Sequence, residues 1–345
     1  MSNHRVIVVG CGGMARVWTE YALERQDTEI VGLVDVNPEA AAKMASQYNL
    51  DCGAYADLRT AIGETGANLV FDVTVPATHY AIASTAMEAG CDVFGEKPMA
   101  AAMKEALDLI RISDRTGRAM AVMQNRRYDA NIRALRGLID QGTIGRVGFI
   151  GADFFIGAHF GGFRDAMESP LILDMAIHTF DQARFLAGAD PVSVYCQEFN
   201  PPGSWYRGNA AAVCLFEMSD GSVFSYRGSW CAEGAPTSWE ASWRINGERG
   251  TAMWDGDQAP YAEVVADGDQ EGRFIREYER VEAAFDWTGR KGHAGCLDEM
   301  FAALKEGRRA ETDCRDNLYS IAMVLGSIES ARTGRKVRIE ELLES

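Results

Sequence analysis

The stretch VIVVGCGGMA, residues 6–15, decides the fold of this chain. An apolar strand leads into a glycine-rich turn, which is followed by a helical pattern that begins near Gly13. Gly10 can adopt the backbone angles of a tight turn, and Gly12 has no side chain to keep the backbone away from a pyrophosphate. The start of the helix, with Gly13 and Met14, directs amide donors and a positive dipole end at the phosphates. The stretch therefore predicts a dinucleotide-binding turn.

The second strand, EIVGLVD, ends at Asp35, where a carboxylate can accept hydrogen bonds from an adenosine ribose. Asp35 would repel a 2′-phosphate, and neither Val36 nor Asn37 offers a cation to bind one. We therefore expect NAD as the cofactor, with NADP as the alternative. A glycine-rich turn in some other doubly wound domain also remains open at this point.

Composition excludes several classes of partner. The chain has 345 residues, which favours two domains, and its net charge of -16 opposes binding to nucleic acid or to anionic membranes. No apolar run reaches membrane-spanning length and the first residues lack a signal-peptide pattern, so we expect a cytoplasmic protein. The eight cysteines are scattered without a CxxC, which favours free thiols over disulfides or a zinc site, and we expect no metal.

The order of predicted elements divides the chain into two domains. Residues 1–124 alternate strand and helix patterns, which predicts an α/β domain with a doubly wound parallel sheet. Residues 125–345 contain long segments of alternating polarity, such as VGFIGADFF (147–155), which predict a mostly antiparallel sheet. Helical patterns at 129–140, 291–306 and 315–332 complete this second domain.

Two segments carry the candidate chemistry. CDVFGEKPM (91–99) places Glu96 and Lys97 after a strand, at the edge where open α/β sheets bind their ligands, and Pro98 restricts Lys97 to extended backbone angles. ILDMAIHTFDQARFLAG (172–188) has helical periodicity, which puts Asp174 and His178 on one face. Taken alone, the first segment is also compatible with a charged turn, and the second with a surface or capping pair.

Five motifs together resemble the Gfo/Idh/MocA oxidoreductases, which include inositol, glucose and other sugar dehydrogenases. They are GCGGMA (10–15), VTVPATHY (73–80), GEKPM (95–99), QNRRYD (124–129) and DMAIH (174–178). The resemblance implies a Rossmann domain followed by an α/β domain with a large open sheet. It also implies NAD(P)-dependent oxidation of a secondary alcohol on a sugar, polyol or sugar derivative, or reduction of the corresponding ketone.

The resemblance implies roles for three residues, and their chemistry agrees. Lys97 matches the lysine that hydrogen-bonds the reacting oxygen and favours its developing negative charge. His178 matches the general base, since an imidazole titrates near neutral pH. Asp174 matches the acidic partner, which orients the substrate or positions Lys97.

Further residues carry over as ligand-binding positions. The resemblance places Thr74, Pro76 and His79 along the cofactor, although His79 is otherwise an ordinary histidine at a helix start. It also places Glu96 beside the cofactor, and Asn125 and Arg126, after the last Rossmann strand, toward the cofactor and substrate.

One segment departs from the family pattern. Many members carry a glycine-rich run before DxxxH, whereas this chain has MESPLIL (167–173), which puts the size of the substrate in doubt. The preceding segment IGAHFGGFRDAM (156–167) places His159 and Arg164 in a flexible loop that we expect over the substrate. Arg164 either binds a carboxylate, sulfonate or phosphate in bidentate fashion or is a solvated loop charge.

Three functions remain open from the sequence. The first is a sugar or polyol dehydrogenase, and the second is a redox-elimination glycosidase in which tightly held NAD transiently oxidises the sugar. The third is a non-catalytic regulator that senses NAD(P), against which Lys97, Asp174 and His178 argue. The large apolar groups of the second domain's sheet further predict a homodimer or homotetramer that buries one sheet face.

Overall fold

The apolar segment that opens the chain forms a central strand of a parallel sheet. The computed structural model describes residues 4–344, and its first sheet has six strands. They are β1 (His4–Val9), β2 (Thr28–Val34), β3 (Gly53–Tyr55), β4 (Leu69–Asp72), β5 (Asp92–Gly95) and β6 (Met120–Val122). Their order is β3-β2-β1-β4-β5-β6 and each neighbouring pair is parallel, which is the doubly wound order of a Rossmann sheet.

Strands of alternating exposure build a second sheet of nine strands. They are β7 (Val147–Phe155), β8 (Pro191–Phe199), β9 (Ala211–Met218), β10 (Val223–Ser229), β11 (Ser242–Gly247), β12 (Gly250–Trp254), β13 (Tyr261–Val265), β14 (Tyr278–Glu282) and β15 (Val337–Arg338). Their order is β14-β13-β12-β11-β7-β10-β9-β8-β15, and every neighbouring pair is antiparallel except β7 with β10. The predicted α/β fold class with a mostly antiparallel second sheet is confirmed.

Ten α-helices occur within the described residues. They are α1 (Ala15–Glu24), α2 (Pro38–Tyr48), α3 (Leu58–Thr65), α4 (His79–Glu88), α5 (Met103–Thr116), α6 (Ala130–Asp140), α7 (Ile177–Ala187), α8 (Gly292–Glu306), α9 (Cys314–Thr333) and α10 (Ile339–Leu343). No helix of residues 4–344 is long and apolar enough to cross a membrane.

The chain forms two units, and the first unit is built from two separate segments of the sequence. The first unit ends at Asn125 and resumes over His293–Ile321, whereas the second comprises Arg126–Gly292 and continues from Ala322. The sequence placed a single boundary near residue 124 and did not indicate the return. The second segment belongs to the first unit because it adds an aromatic residue to that unit's core. Phe301 of α8 packs edge-on against Phe94, with ring centroids 5.2 Å apart.

The structure corrects three details of the predicted elements. Helix α1 begins at Ala15 rather than near Gly13, because the preceding residues form a turn in which the Val17 N–H donates to the Met14 carbonyl. The alternating polarity of SWEASWRIN (238–246) predicts a strand over the whole segment, but the strand begins only at Ser242, because Ala241 closes a turn with a φ of 65°. Residues 172–176, predicted to begin a helix, belong instead to the π-helical turn Leu171–Ala176.

One face of the nine-stranded sheet carries exposed apolar side chains. Tyr195 of β8 lies directly opposite Leu215 of β9, and Gln197 lies opposite Val213. These four side chains are exposed, whereas the alternate positions of both strands are buried in the core of the second unit. The alternation therefore gives the sheet one face in the core and one exposed face, which carries the apolar side chains of Tyr195, Val213 and Leu215 beside polar ones such as Gln197.

Candidate active site

The predicted cofactor residues of the first unit lie at one edge of its parallel sheet. They follow the carboxyl ends of β1 (Gly10, Gly12, Gly13, Met14), β2 (Asp35), β4 (Thr74, Pro76, His79), β5 (Glu96, Lys97) and β6 (Asn125). Parallel strands end at the same edge, so residues that are far apart in sequence converge there. Open α/β sheets bind their ligands at this edge.

The glycines of the turn after β1 have two different tasks. Gly10 has a φ of +86°, and a Cβ at this position would meet the Val73 carbonyl oxygen at 2.7 Å, so the fold itself requires a glycine here. A Cβ at Gly12 or Gly13 would meet nothing within 4 Å. The protein packs nothing against these two exposed positions, and they fit the close approach of a pyrophosphate.

Asp35 is fixed by two backbone donors. One oxygen accepts a hydrogen bond from the Cys11 N–H at 2.8 Å, and the other accepts one from the Asn37 N–H at 2.8 Å. The carboxylate therefore joins the turn after β2 to the glycine turn after β1. It keeps further lone pairs for the hydroxyls of a ribose.

A buried histidine ties the loop after β4 to the loop after β5. The His79 ring places Nδ1 2.6 Å from the Pro98 carbonyl oxygen and Nε2 3.1 Å from the Thr74 carbonyl oxygen. The Thr74 hydroxyl donates to Asp72 at 2.6 Å. Burial raises the pKa of Asp72, and His79 and Thr74 offset part of that rise. These bonds give His79 a structural role, and its predicted cofactor contact stays a prediction.

Glu96 lies in a polar cluster that the sequence did not reveal. Its carboxylate accepts a hydrogen bond from Trp18 Nε1 at 2.9 Å and lies 3.6 Å from His293 Nε2. Asn125 Nδ2 lies 3.4 Å from Nδ1 of the same histidine. Burial alone would raise the pKa of Glu96, but His293, Trp18 and the charge of Lys97 outweigh it, so the pKa is lowered. The cluster therefore keeps a carboxylate next to Lys97.

Lys97 follows directly and is half-buried. The peptide bond that joins it to Pro98 is cis. With Pro98 held by His79 on one side and Glu96 held by Trp18 and His293 on the other, the backbone on both sides of Lys97 is anchored. The loop can therefore present the lysine in a defined position.

In the second unit, Asp174 and His178 lie on consecutive turns of one helical segment. Asp174 belongs to the π-helical turn Leu171–Ala176, and the buried His178 lies in the first turn of α7. A π-turn has slightly more than four residues, so a spacing of four still brings both side chains to about the same side of the segment. Such turns are frequent at functional sites.

The loop before this segment contributes Arg164. Its Nε donates a hydrogen bond to Asp174 Oδ2 at 2.6 Å. The guanidinium carbon also lies 4.7 Å from the ring centroid of Phe163 and 5.2 Å from that of Phe160. Arg164 is therefore held at the candidate catalytic segment, which argues against a freely solvated loop charge.

Two further predicted residues, Arg126 and His159 of the loop itself, contact tryptophans around this loop. Arg126 donates a hydrogen bond to the Trp239 carbonyl oxygen, and the Trp239 ring lies 6.1 Å from Phe160. His159 stacks on Trp205, with centroids 3.6 Å apart, and its Nε2 lies 2.7 Å from Glu233 Oε1. The sequence did not indicate that Arg126 pairs with Trp239 or His159 with Glu233, because only tertiary packing brings these partners together.

Within residues 4–344, no group of three or more histidine, cysteine or acidic side chains is arranged to hold a metal ion.

Comparisons with known proteins agree with this geometry. The family model of the oxidoreductase family with an NAD-binding Rossmann fold matches residues 4–124, and the Gfo/Idh/MocA C-terminal domain matches residues 132–253. Inositol 2-dehydrogenase of Rhizobium meliloti is 23% identical over 361 residues, covering 96% of this chain and 98% of that protein. D-apiose dehydrogenase of Rhizobium rhizogenes is 24% identical over 359 residues, covering 99% of each.

A solved structure shows the same fold over the whole length. It is an oxidoreductase from Agrobacterium radiobacter in complex with NAD+, L-tartaric acid and magnesium, with a TM-score of 0.85 and 22% identity. The match covers 99% of this chain and 100% of the Agrobacterium radiobacter chain. The predicted family, the predicted oxidoreductase activity and the predicted cofactor NAD are confirmed. The chain belongs to the Gfo/Idh/MocA family and is an NAD-binding oxidoreductase.

Proposed function

We propose that this enzyme oxidises a secondary alcohol of a sugar, polyol or sugar derivative with NAD. The observation that carries the proposal is the convergence of the cofactor residues and Lys97 on one sheet edge, because a hydrogen-bond donor there can act beside the nicotinamide. The names of the two relatives, an inositol and an apiose dehydrogenase, support a polyol or sugar as the substrate. Bound NAD supplies the hydride acceptor.

Two of the polar residues then act on the hydroxyl that reacts, and the others position the substrate. His178 accepts that proton on an imidazole nitrogen as the carbon loses its hydride. Lys97 donates a hydrogen bond to the same oxygen and stabilises the negative charge that develops on it. Asp174 orients the substrate through an adjacent hydroxyl, and Asn125, Arg126 and His159 add further contacts.

NAD is preferred over NADP in this proposal. The Asp35 carboxylate is fixed by two backbone donors and would repel a 2′-phosphate, while the next residue, Val36, is exposed and uncharged. A clearly higher kcat/KM with NADP than with NAD would contradict this assignment.

A substrate screen tests the activity. Sugars, inositols and sugar acids are mixed with NAD or NADP, and the absorbance of the reduced cofactor is compared with product formed. We expect one NADH for each alcohol oxidised. Turnover of glycosides without net NADH would favour a redox-elimination glycosidase, and NAD binding without turnover of any compound would favour a sensor.

We further propose that the enzyme is a homo-oligomer, a dimer or tetramer, that buries the exposed face of its nine-stranded sheet. Tyr195, Val213 and Leu215 form a contiguous apolar patch there, of the kind that favours association. Light scattering should give at least twice the chain mass, and Leu215→Glu should lower it. Leu23→Glu, at a leucine of similar exposure on α1, is the control. A monomeric parent protein would contradict the proposal.

A further inference from the structure

Arg164 makes a different ion pair from Arg127, a buried arginine of the same unit. Arg127 binds Asp181 through two bonds, Nε to Oδ2 and Nη2 to Oδ1, each 2.6 Å long, and both side chains are almost fully buried. Arg164 gives only its Nε to Asp174. Within residues 4–344, its two terminal nitrogens donate no hydrogen bond. The four N–H donors of these nitrogens are therefore available to a ligand.

The surroundings of Arg164 hold the guanidinium and leave it accessible. About one third of the side chain is exposed, 32%, while Phe160 and Phe163 flank the guanidinium. Both rings are themselves more than half exposed, 55% and 56%. An arginine flanked by aromatic rings loses little further freedom when it binds an anion, so its fork is preorganised.

The charge pattern of the chain singles out this position. Arg164 is the only lysine or arginine between residues 147 and 183, a stretch that includes the whole loop and the segment with Asp174 and His178. A carboxylate is planar, and its two oxygens match two parallel N–H groups of a guanidinium. Since only Nε of Arg164 is bound to Asp174, its two terminal nitrogens can form that pair of bonds with a carboxylate ligand.

We infer that the substrate is a sugar acid, whose carboxylate binds the terminal nitrogens of Arg164 while Nε remains on Asp174. This inference rests on the proposed function and narrows it. Asp174 orients the guanidinium, and the guanidinium fixes one end of the substrate relative to the hydroxyl that reacts. Arg164 is then a substrate-binding residue that selects acids over neutral sugars.

Matched pairs of sugars test the inference. We would measure kcat and KM with NAD for glucuronate against glucose, galacturonate against galactose, and gluconate against sorbitol, with glucose 6-phosphate as a second anion. The parent enzyme should favour the acid of at least one pair roughly tenfold or more in kcat/KM, as expected for a charge-assisted bond. Arg164→Gln should lower kcat/KM for that acid roughly 10- to 100-fold, mainly by raising KM. It should change kcat/KM for the neutral sugar of the same pair by less than about threefold.

Two further variants separate binding from folding. Arg164→Lys keeps the charge without the fork and should recover only part of the affinity for the acid. Arg332→Gln removes an arginine that is paired with Glu329 at 2.9 Å on the surface of α9, and it should behave like the parent enzyme. The melting temperatures of all variants, with NAD alone and with NAD plus glucuronate or galacturonate, show whether each variant folds and binds the acid.

The outcomes are distinguishable. Either of two results would overturn the inference and leave the proposed function intact. One is a kcat/KM for the neutral sugars that equals or exceeds that for the acids. The other is an equal effect of Arg164→Gln on acids and on neutral sugars. Preference for glucose 6-phosphate over every acid would overturn the assignment of a carboxylate. NAD binding without oxidation of any member of the panel would contradict the proposed function and the inference together.

Discussion

The carboxyl edge of the parallel sheet and the loop that carries Arg164 build their ligand positions in different ways. At the sheet edge, backbone groups and strand ends decide the geometry, as with Gly10 in its turn and Asp35 on two N–H donors. In the loop, Arg164 is placed by Asp174 and by two phenylalanine rings. A cofactor common to many enzymes can be bound by a local motif, whereas selection of one substrate requires side chains that tertiary packing brings together.

Loss of either proton-handling group should have the largest effect. Lys97→Ala removes the donor to the reacting oxygen and His178→Gln removes the base, so each should lower kcat by roughly 100- to 1,000-fold. The dissociation constant for NAD should stay within about threefold in both variants. Single-turnover and steady-state kinetics from pH 6 to 10 measure this. A folded variant with a kcat close to that of the parent enzyme would remove the residue from the mechanism.

Alanine substitutions at two glycines of the same turn should affect different properties, stability at Gly10 and NAD binding at Gly12. Gly10→Ala puts a Cβ 2.7 Å from the Val73 carbonyl oxygen at a positive φ, so it should cost about 2–4 kcal/mol of unfolding free energy. Gly12→Ala meets nothing within 4 Å and should leave stability unchanged while it weakens NAD binding roughly tenfold or more. Urea unfolding and NAD titration of both variants measure the difference. Equal stability losses would show that the two glycines do the same work.

Glu198, in the same unit as Arg164, gives that unit a dependence of stability on pH. It lies buried on β8 and accepts a hydrogen bond at 3.0 Å from Ser169, just before the π-turn with Asp174, and burial raises its pKa to about 7. The folded state therefore binds this proton more tightly than the unfolded chain. The stability that it contributes is complete below the unfolded pKa and is lost as the pH rises through about 7.

Glu198→Gln keeps an acceptor for Ser169 without the titration. It should raise the unfolding free energy by about 1–3 kcal/mol at pH 8 and change it little at pH 4.5. Urea unfolding at both pH values measures this. Glu263→Gln, at an exposed position of β13, is the matched control and should show no such difference between the two pH values. A gain from Glu198→Gln that is equal at both pH values would contradict the assignment.

The cluster around Glu96 should have the smallest effect. His293 is one of the groups that lower the pKa of this carboxyl, so His293→Leu should raise that pKa and weaken binding of NAD by a few-fold at acid pH. We expect the acidic limb of kcat/KM for NAD to move to higher pH, and His293→Gln to move it less. An unchanged pH profile in His293→Leu would limit the histidine to a packing role.

Particular residues show which parts of the candidate site could be predicted from the sequence. Gly10 and Asp35 were selected because strand, turn and terminal acid follow each other within a short local pattern, and Lys97 because it follows a strand in the motif GEKPM (95–99). Trp18 and His293 were missed as partners of Glu96, because they come from α1 and α8 and meet only in the folded unit. The π-turn was missed because its apolar spacing is nearly that of an α-helix.

The central claim is that the edge of the parallel sheet holds the cofactor without help from Asp174 and His178. Binding of NAD to an enzyme altered only at these two residues tests it most directly. In the double variant Asp174→Asn with His178→Gln, the carboxylate and the base are lost, but every predicted cofactor residue of the sheet edge is intact. Calorimetric titration should give a dissociation constant for NAD within about twofold of the parent enzyme, together with a loss of turnover of roughly 100-fold or more. Binding of NAD that is weakened tenfold or more would contradict the claim that the sheet edge alone holds the cofactor.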